Sequence, residues 1–249
     1  MPHQCTKCGK IHPDADKAIL SGCDCGSRFF YYIRQEKVDE IERGWSNEIK
    51  ETIIELEKAG ADIIHFDIED GNFLPVMTLG VRMIKDLRPL TSLPFDVHLM
   101  MNKPEWLISD LKEMGADMVS VHYEACPYPR RTLGLIHQAG MLAGLAFNPA
   151  TPLPSLRHCL PYLSYVLILT TEPEARVCTY LPSVLDKVLE GKKQLGLEKV
   201  TWEVDGGFVL DNILDAKRAG ADIVVAGRGV FADNQIQLNL KKLRDILNS

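Results

Sequence analysis

The chain has 249 residues, of which 46% are hydrophobic and 25% charged, and its formal net charge is −6. This composition fits one large core plus a small appendage, and the acidic balance argues against a surface that wraps nucleic acid or an anionic membrane. No apolar run approaches the roughly 20 residues that span a bilayer. Because MPHQCTKCGK lacks the apolar stretch of a secretory signal, we predict a cytoplasmic protein that binds small molecules.

The amino-terminal segment contains two cysteine pairs, each followed by glycine, in the stretches CTKCGK and CDCG. Four thiolates from two tight turns suit a tetrahedral zinc ion, and so short a segment has too little core to fold without one. The predicted ligands of this structural zinc are Cys5, Cys8, Cys23 and Cys25. Because the second pair is C-x-C, His3 or His12 remains an alternative for one ligand.

This segment resembles small archaeal-type zinc-ribbon domains, in which CxxCGK and a second Cys-Gly knuckle precede an aromatic strand such as FFYYIR. The resemblance implies a docking or structural role, with nucleic-acid or protein binding as the alternative. Its basic residues are partly offset by aspartates, which weakens the case for nucleic acid. We predict a zinc-ribbon-like domain over residues 1–34 and a second domain over residues 35–249.

From about residue 46 onward one sequence pattern repeats: an amphipathic helix, a helix end that contains glycine, and a short apolar run. Seven such runs are rich in β-forming residues, namely IIHFD, FDVHLM, MVSVH, AGLAF, YVLIL, TWEVD and DIVVAG. Strands that alternate with helices indicate a parallel sheet covered by helices. We therefore predict an α/β fold, a (β/α)8 TIM barrel, with a doubly wound open sheet as the alternative.

An eighth strand is needed to close the barrel before the helix that starts near Asn47. The candidates are residues 29–34, FFYYIR, and residues 36–43, EKVDEIER. The first also fits the amino-terminal segment, and the second is heavily charged for a barrel interior. The sequence leaves the first barrel strand unassigned.

Polar side chains lie at the ends of three predicted strands, where the active residues of a barrel gather. Two imidazoles and two carboxylates form a mixed nitrogen and oxygen set that fits Zn²⁺, Fe²⁺, Mn²⁺ or Co²⁺. The predicted ligands of this divalent metal are His65, Asp67, His98 and Asp205. His122, at the end of MVSVH, is either a fifth ligand or a supporting group.

Asp67 and Asp205 fall on strands from opposing parts of the predicted barrel wall. Two carboxylates that face each other across a substrate can remove a proton from one side of a carbon and return one to the other side. A cation that holds the adjacent carbonyl oxygen would stabilise the enediolate formed in between. We expect Asp67 and Asp205 to be the catalytic acid/base pair.

Five blocks of the sequence, HFDIEDGNFLPVMTLG, FDVHLMMNKPEWLI, GADMVSVHYEA, GLAFNPATPL and EVDGG, resemble ribulose-phosphate 3-epimerase and its sugar-phosphate epimerase relatives over residues 47–231. The resemblance implies a (β/α)8 barrel, a divalent metal and inversion at C3 that interconverts D-ribulose 5-phosphate and D-xylulose 5-phosphate. By matching position it implies the same metal ligands and acid/base pair. The substrate-binding residues that it implies are His98, Met100, Gly206, Gly207, Gly227 and Arg228.

The sequence departs from the family pattern at three substrate contacts. The first family strand, with its substrate-binding serine, has no recognisable counterpart. Glu174, Ala175 and Arg176 stand where the family has a glycine-rich phosphate loop, and Glu69 stands at a position that usually holds methionine. Arg228 and Arg176 are either phosphate contacts of this chain's own or exposed surface arginines.

Other functions remain open at this point. An epimerase could act on a different ketose phosphate, such as allulose 6-phosphate, or the barrel could be non-catalytic and carry a ribbon that binds nucleic acid or protein. The intact metal and proton-transfer residues favour the enzyme. We expect a sugar phosphate as the small-molecule partner, no membrane partner, and assembly into a homo-oligomer.

Overall fold

The computed structural model describes residues 3–5, 11–12, 30–32, 48–77, 80–173, 179–194 and 196–248. The chain divides into two compact units, Met1–Thr52 and Ile53–Ser249. The predicted domain boundary after residue 34 stays a prediction.

The amino-terminal unit contains a small antiparallel sheet of three strands in the order β2-β1-β3. Its strands are β1 His3–Cys5, β2 Ile11–His12 and β3 Phe30–Tyr32. The aromatic stretch FFYYIR therefore supplies a strand to the amino-terminal sheet, which decides between the two alternatives left open for it. The other candidate, residues 36–43, and the predicted zinc ligands Cys8, Cys23 and Cys25 lie outside the described residues.

The second unit is built on a parallel sheet of seven strands that are neighbours in the order of the chain. This confirms the α/β class and the seven strands predicted from apolar runs. The strands are β4 Ile64–Glu69, β5 Phe95–Met100, β6 Met118–His122, β7 Leu142–Phe147, β8 Tyr165–Leu169, β9 Thr201–Asp205 and β10 Ile223–Val225.

Helices connect most of these strands, as the repeated pattern predicts, whereas turns without a helix connect β7 to β8. They comprise residues 48–59, Arg82–Leu87, Ile108–Met114, Pro129–Gln138, Asp186–Lys192, Ile213–Ala219, Gly227–Phe231 and Ile236–Asn248. Gly115 ends one helix at φ 95° and Gly220 another at φ 80°, a left-handed conformation that costs glycine little. Among the described helices, none combines the length and apolar character needed to cross a membrane.

The parallel sheet is strongly curled. β4 and β9 are separated by five strand spacings, which in a flat sheet would place them roughly 24 Å apart. Yet side-chain atoms of His65 on β4 and Asp205 on β9 lie within 4.8 Å of each other. The described residues thus form an α/β sheet rolled into an open barrel of seven strands, with β4 and β10 at its edges.

On β4, β5 and β9 the side chains divide into an outer apolar set and an inner polar set. On β5, Phe95, Val97 and Leu99 are fully buried on the outer face, toward the helices. The intervening residues Asp96 and His98 are also fully buried, and they face the inside of the curl. Because side chains alternate along a strand, the polar residues gather inside at successive levels.

Candidate active site

The inner polar residues form two levels that follow from the register of β4 and β5. His65 lies opposite Asp96, and Asp67 lies opposite His98. The order His-x-Asp on one strand and Asp-x-His on the next therefore gives each histidine a carboxylate on the neighbouring strand. A single-residue slip of register would break both pairs.

The upper level, nearer the carboxyl ends of the strands, brings the predicted metal ligands together. One possible ligand atom from each of the four residues lies within 4.8 Å of the others, and the residues are His65, Asp67, His98 and Asp205. Asp67 Oδ1 lies 3.0 Å from His98 Nδ1 and 3.4 Å from His65 Nε2. The Asp67 side chain is 44% exposed whereas that of His98 is fully buried, so the site opens to solvent on the Asp67 side.

The lower level holds a second cluster beneath the first. His65 Nδ1 donates a hydrogen bond to Asp96 Oδ2 over 2.6 Å and lies 3.6 Å from Glu203 Oε1. Tyr165 on β8 donates its hydroxyl hydrogen to Asp96 Oδ1, also over 2.6 Å. His65 belongs to both levels and joins them.

The lower cluster determines the charge of His65. Burial works to lower the pKa of His65, but the Asp96 carboxylate and the hydrogen bonds to Asp67 and Asp96 outweigh it and hold this pKa well above its usual value. Burial likewise works to raise the pKa of Asp96, and the attraction and hydrogen bond of His65 overcome it, so the pKa of Asp96 is lowered. Burial and the nearby Asp96 charge raise the pKa of Glu203 to about 8.

The two carboxylates of the predicted acid/base pair differ in proton affinity. Burial favours the neutral form of Asp67, but hydrogen bonds from His65 and His98 outweigh it and lower the pKa of Asp67. Burial raises the pKa of Asp205 to about 7, with His65 opposing the shift and Asp67 adding to it. A pair of acids whose environments push their pKa values apart is suited to giving and taking a proton.

The upper level also fits a divalent cation. His65 Nε2 is buried, and apart from Asp67 Oδ1, 3.4 Å away in the same site, it has no partner among the described residues, while Nδ1 of the same ring is held by Asp96. A metal ligand commonly shows this arrangement, in which a carboxylate orients the ring and leaves the other nitrogen for the ion. The set of two imidazoles and two carboxylates suits Zn²⁺, Fe²⁺, Mn²⁺ or Co²⁺.

Three of the predicted substrate-binding residues lie together at the carboxyl end of β9. Gly206 and Gly207 have φ angles of 115° and 82°, which favour glycine. A Cβ atom added to Gly207 would lie 3.1 Å from Arg228 Nη2, so the Arg228 guanidinium adjoins this turn. Thr171 packs against both glycines.

The remaining predicted residues occupy more varied positions. Met100, 4% exposed, ends β5 opposite Glu69, 6% exposed, so the departure at Glu69 places a buried carboxyl group beside the site. A Cβ added to Gly227 would meet nothing within 4 Å, which leaves open space beside its backbone. Arg176 lies outside the described residues. His122 contacts His98 rather than joining the four grouped side chains.

Four residues around the site have no role predicted from the sequence, namely Asp96, Glu203, Tyr165 and Glu124. Strand alternation could have found two of them, because Asp96 and Glu203 each lie two residues before a predicted ligand and therefore share its face. Tyr165 reaches the cluster from β8, 69 residues away in sequence. Its contact depends on the curl of the sheet, which no local pattern reveals.

Comparison with family models gives two matches. Residues 44–231, more than half of the chain, match the model of the ribulose-phosphate 3 epimerase family. Residues 2–73 match a model described as origin-associated protein OapC. The second match covers the amino-terminal unit and the first strand of the parallel sheet.

Individual relatives cover most of the chain. It is 40% identical over 205 residues to ribulose-phosphate 3-epimerase 1 of Cupriavidus necator, covering 78% of this chain and 85% of the relative. It is 38% identical over 201 residues to ribulose-phosphate 3-epimerase of Bacillus subtilis, covering 80% and 91%. The solved structure of phosphoribosyl anthranilate isomerase from Thermus thermophilus matches with a TM-score of 0.59 at 13% identity, over 80% of this chain and 94% of that one. At this identity the structural likeness shows the fold alone, which is TIM-barrel-like.

Proposed function

The chain belongs to the ribulose-phosphate 3-epimerase family, and we propose that it interconverts D-ribulose 5-phosphate and D-xylulose 5-phosphate by proton transfer at C3. The observation that carries the proposal is the convergence of Asp67 and Asp205, from strands five positions apart in the sheet, on one site with His65 and His98. Inversion at carbon requires two proton-transferring groups, and this site supplies two carboxylates.

The residues of the upper level divide the work of this reaction. His65, Asp67, His98 and Asp205 would hold a divalent cation, which supplies positive charge next to the oxygen that becomes negative when C3 loses its proton. Asp67 and Asp205 hold and move protons on opposite faces of C3. Their unlike proton affinities, lowered at Asp67 and raised at Asp205, give one base and one acid near neutral pH.

The phosphate group of the substrate is proposed to bind at the turns after β9 and β10. Backbone N–H groups at Gly206 and Gly207 can approach an anion closely because glycine has no side chain to obstruct it. The Arg228 guanidinium adjoins Gly207 and is suited to bidentate contact with phosphate oxygens. Gly227 precedes this arginine, and Met100 and His98 line the other end of the substrate.

The test is turnover of ribulose 5-phosphate in deuterium oxide. Wild-type protein loaded with Mn²⁺ should form xylulose 5-phosphate that carries one deuterium at C3. Asp67→Asn and Asp205→Asn should each reduce the rate by about 10²- to 10⁴-fold, the contribution typical of general acid–base catalysis. Asp110→Asn, at an exposed helix position, serves as the matched control and should turn over at the wild-type rate. Unlabelled product, or full activity in both site variants, would overturn the proposal.

The substrate has one close competitor. Glu69 places a carboxyl group near the site where the family pattern has methionine, and such a change can favour a different ketose phosphate, for example allulose 6-phosphate. We favour ribulose 5-phosphate because the relatives at 38–40% identity are named ribulose-phosphate 3-epimerases. The ratio of kcat/KM for the two substrates decides between them. A non-catalytic barrel would give no labelled product from either.

We propose that the barrel has eight strands, as in the (β/α)8 barrel that the family resemblance implies. The support is the curl of the seven strands, which already brings side-chain atoms of β4 and β9 within 4.8 Å of each other. Assembly into a homo-oligomer also stays a prediction, and light scattering with chromatography tests it.

The amino-terminal unit is proposed to bind structural zinc through Cys5, Cys8, Cys23 and Cys25. The spacing of the two cysteine pairs supports this, as does a sheet whose strands are only two or three residues long, which bury little core. Metal analysis should find one zinc ion fewer in Cys8→Ser than in wild type. The origin-associated description of the matching model makes nucleic acid the partner to test, by DNA and RNA binding with and without zinc.

A further inference from the structure

A hydrogen-bonded chain leads from the candidate metal site to a carboxylate outside it. His98 Nε2 lies 2.9 Å from His122 Nε2, and His122 Nδ1 lies 3.0 Å from Glu124 Oε2. The other ring nitrogen of His98, Nδ1, faces Asp67 in the upper level. Two imidazoles thus connect the metal site to Glu124, a residue to which the proposed reaction gives no role.

Both imidazoles are enclosed by protein. The side chains of His98 and His122 are fully buried, and their rings stack with centroids 4.9 Å apart and planes inclined by 28°. The Phe73 ring covers His122 at 4.7 Å between centroids. With water kept out, protein groups decide which nitrogen of each ring carries hydrogen.

Glu124 is held in one orientation by the loop after β7. Its Oε1 atom accepts hydrogen bonds from the Asn148 backbone N–H, over 2.9 Å, and from the Thr151 hydroxyl. Lys187 Nζ in turn binds the carbonyl oxygens of Asn148 and Pro149 at 2.9 and 2.8 Å. With Oε1 occupied, Oε2 is the atom that meets His122.

The direction of each hydrogen bond follows from Glu124. A carboxylate only accepts hydrogen bonds, so His122 Nδ1 must carry the hydrogen that it shares with Oε2. In a neutral ring His122 Nε2 is then an acceptor, and His98 Nε2 must donate to it. Without a metal ion, Asp67 makes the same demand on His98 Nδ1, which lies 3.0 Å from Asp67 Oδ1. In the metal-bound form, Nδ1 would give up this hydrogen and its lone pair would be directed at the ion.

We infer that Glu124 is a positioning residue. It acts through His122 to hold His98 in the tautomer that carries hydrogen on Nε2, which is the tautomer whose Nδ1 can bind a metal ion. The inference rests on the proposed metal site and extends it two residues outward. In general, the tautomer of a histidine ligand is set by the hydrogen-bond partner of the ring nitrogen that does not bind the metal. Here the partner is a second histidine, and the carboxylate stands one step further away.

Glu124→Gln is the discriminating change because the two side chains have the same shape. The Asn148 N–H is a donor only, so the amide oxygen of the introduced glutamine must take the place of Oε1, and its amide NH₂ must then face His122 Nδ1. The hydrogen bonds along the chain reverse, and His122 Nε2 becomes the donor toward His98. Glu105→Gln is the matched control, since Glu105 is a half-buried carboxylate that binds Thr132 Oγ1 at 2.8 Å outside the chain.

The experiment has two readouts, neither of which is turnover. The first is Mn²⁺ affinity, measured by electron paramagnetic resonance, because an imidazole and carboxylate site accepts Mn²⁺ whereas thiolates select zinc. We expect Glu124→Gln to weaken Mn²⁺ binding about 10- to 100-fold, the usual effect of removing a partner of a ligand, and Glu105→Gln to leave it unchanged. The second is the ¹⁵N spectrum of the histidine rings in Zn²⁺-loaded wild type, which should show hydrogen on His98 Nε2 and on His122 Nδ1.

Each outcome has a definite meaning. Hydrogen on His122 Nε2 in Zn²⁺-loaded wild type, or Mn²⁺ binding by Glu124→Gln within twofold of wild type, overturns the role of Glu124 and leaves the proposed function intact. Wild type that binds no Mn²⁺ at all overturns the metal site together with this inference. The wild-type spectrum needs no substitution, so the inference can be tested even if Glu124→Gln folds poorly.

Discussion

Tyr165 on β8 donates a hydrogen bond over 2.6 Å to Asp96 on β5, two residues that lie 69 positions apart in the chain. Tyr165 is 1% exposed and Asp96 fully buried, so little water competes for this bond. Asp96 uses its other oxygen to hold His65. The tyrosine therefore supports a residue of the candidate metal site through one intermediate carboxylate.

Tyr165→Phe should weaken both folding and metal binding. The change removes a buried hydrogen bond to a charged acceptor, which should lower the free energy of unfolding by about 1.5–3 kcal/mol. His65 loses part of its support, so Mn²⁺ affinity should fall about 10-fold or more. Urea unfolding and a Mn²⁺ titration measure the two effects.

Tyr162→Phe is the control for this change, because the Tyr162 ring contacts Arg130 and His137 on the helix Pro129–Gln138. It should leave Mn²⁺ affinity at the wild-type value. Equal Mn²⁺ affinity in Tyr165→Phe and wild type would show that Asp96 holds His65 without help from Tyr165.

Gly144→Ala should destabilise the protein because Gly144 makes room for the Tyr165 ring. A Cβ added at Gly144 would overlap that ring, and overpacking of this kind costs about 1–3 kcal/mol. At Gly134, inside the helix Pro129–Gln138, a Cβ would make ordinary contact with Tyr162 at 3.4 Å. Gly134→Ala should instead raise the free energy of unfolding, by about 0.5–1 kcal/mol. Urea unfolding that ranks the two variants in the opposite order would contradict this packing.

The stability of metal-free protein should depend on pH through Glu203, whose pKa burial and Asp96 raise from 4.5 to about 8. Between these values the folded protein keeps a proton that the unfolded chain has lost. The stability linked to this proton is complete below about pH 4.5 and is lost as the pH rises through about 8, with a slope of at most about 1.4 kcal/mol per pH unit.

Glu203→Gln removes this titration. The free energy of unfolding of wild type, minus that of the variant, should therefore decrease between pH 4.5 and 8 when measured in EDTA. Glu190→Gln, at an exposed helix position, should give a flat difference over the same range. A flat difference for Glu203→Gln as well would mean that its carboxyl group titrates normally in the folded protein.

Metal removal should lower stability by an amount that mass action fixes. Mn²⁺ at 100 times its dissociation constant should raise the free energy of unfolding of wild type by about 2.7 kcal/mol over the metal-free protein. Asp67→Asn replaces a ligand whose side chain is 44% exposed, so the variant should fold and show a much smaller gain at the same Mn²⁺ concentration. A gain as large as that of wild type would exclude Asp67 as a ligand.

The sequence predicts the seven strands of the curled sheet well, because each is a short apolar run and several follow a helix that ends at glycine. The sequence also predicts which residues form the upper level. Strand alternation and position near strand ends both indicate the same four residues, His65, Asp67, His98 and Asp205. What it does not predict depends on contacts between distant strands. The assignment of FFYYIR was open for this reason: its aromatic residues fit either sheet, and only pairing with β1 decides between them.

The lower cluster shows the same limit at the level of single residues. Asp96 lies opposite His65 on the neighbouring strand, but Glu203 meets the same ring only because the sheet curls. Glu124 is similarly inconspicuous in HYEA, and its role depends on His122 and on the Asn148 turn. His122 meets His98, and Glu124 meets Asn148, across 24 residues of sequence in each case.

The most direct test of the paired acids is hydrogen exchange at C3 in variants that keep only one of them. Asp67→Asn and Asp205→Asn each lose one proton-transferring group but keep an amide oxygen, so a raised Mn²⁺ concentration compensates for their weaker metal binding. In deuterium oxide, each variant should exchange the C3 hydrogen of a single pentulose phosphate without inverting it, and the two variants should act on opposite epimers. Exchange of both epimers by one variant, or of the same epimer by both, would contradict a mechanism in which Asp67 and Asp205 serve opposite faces of the substrate.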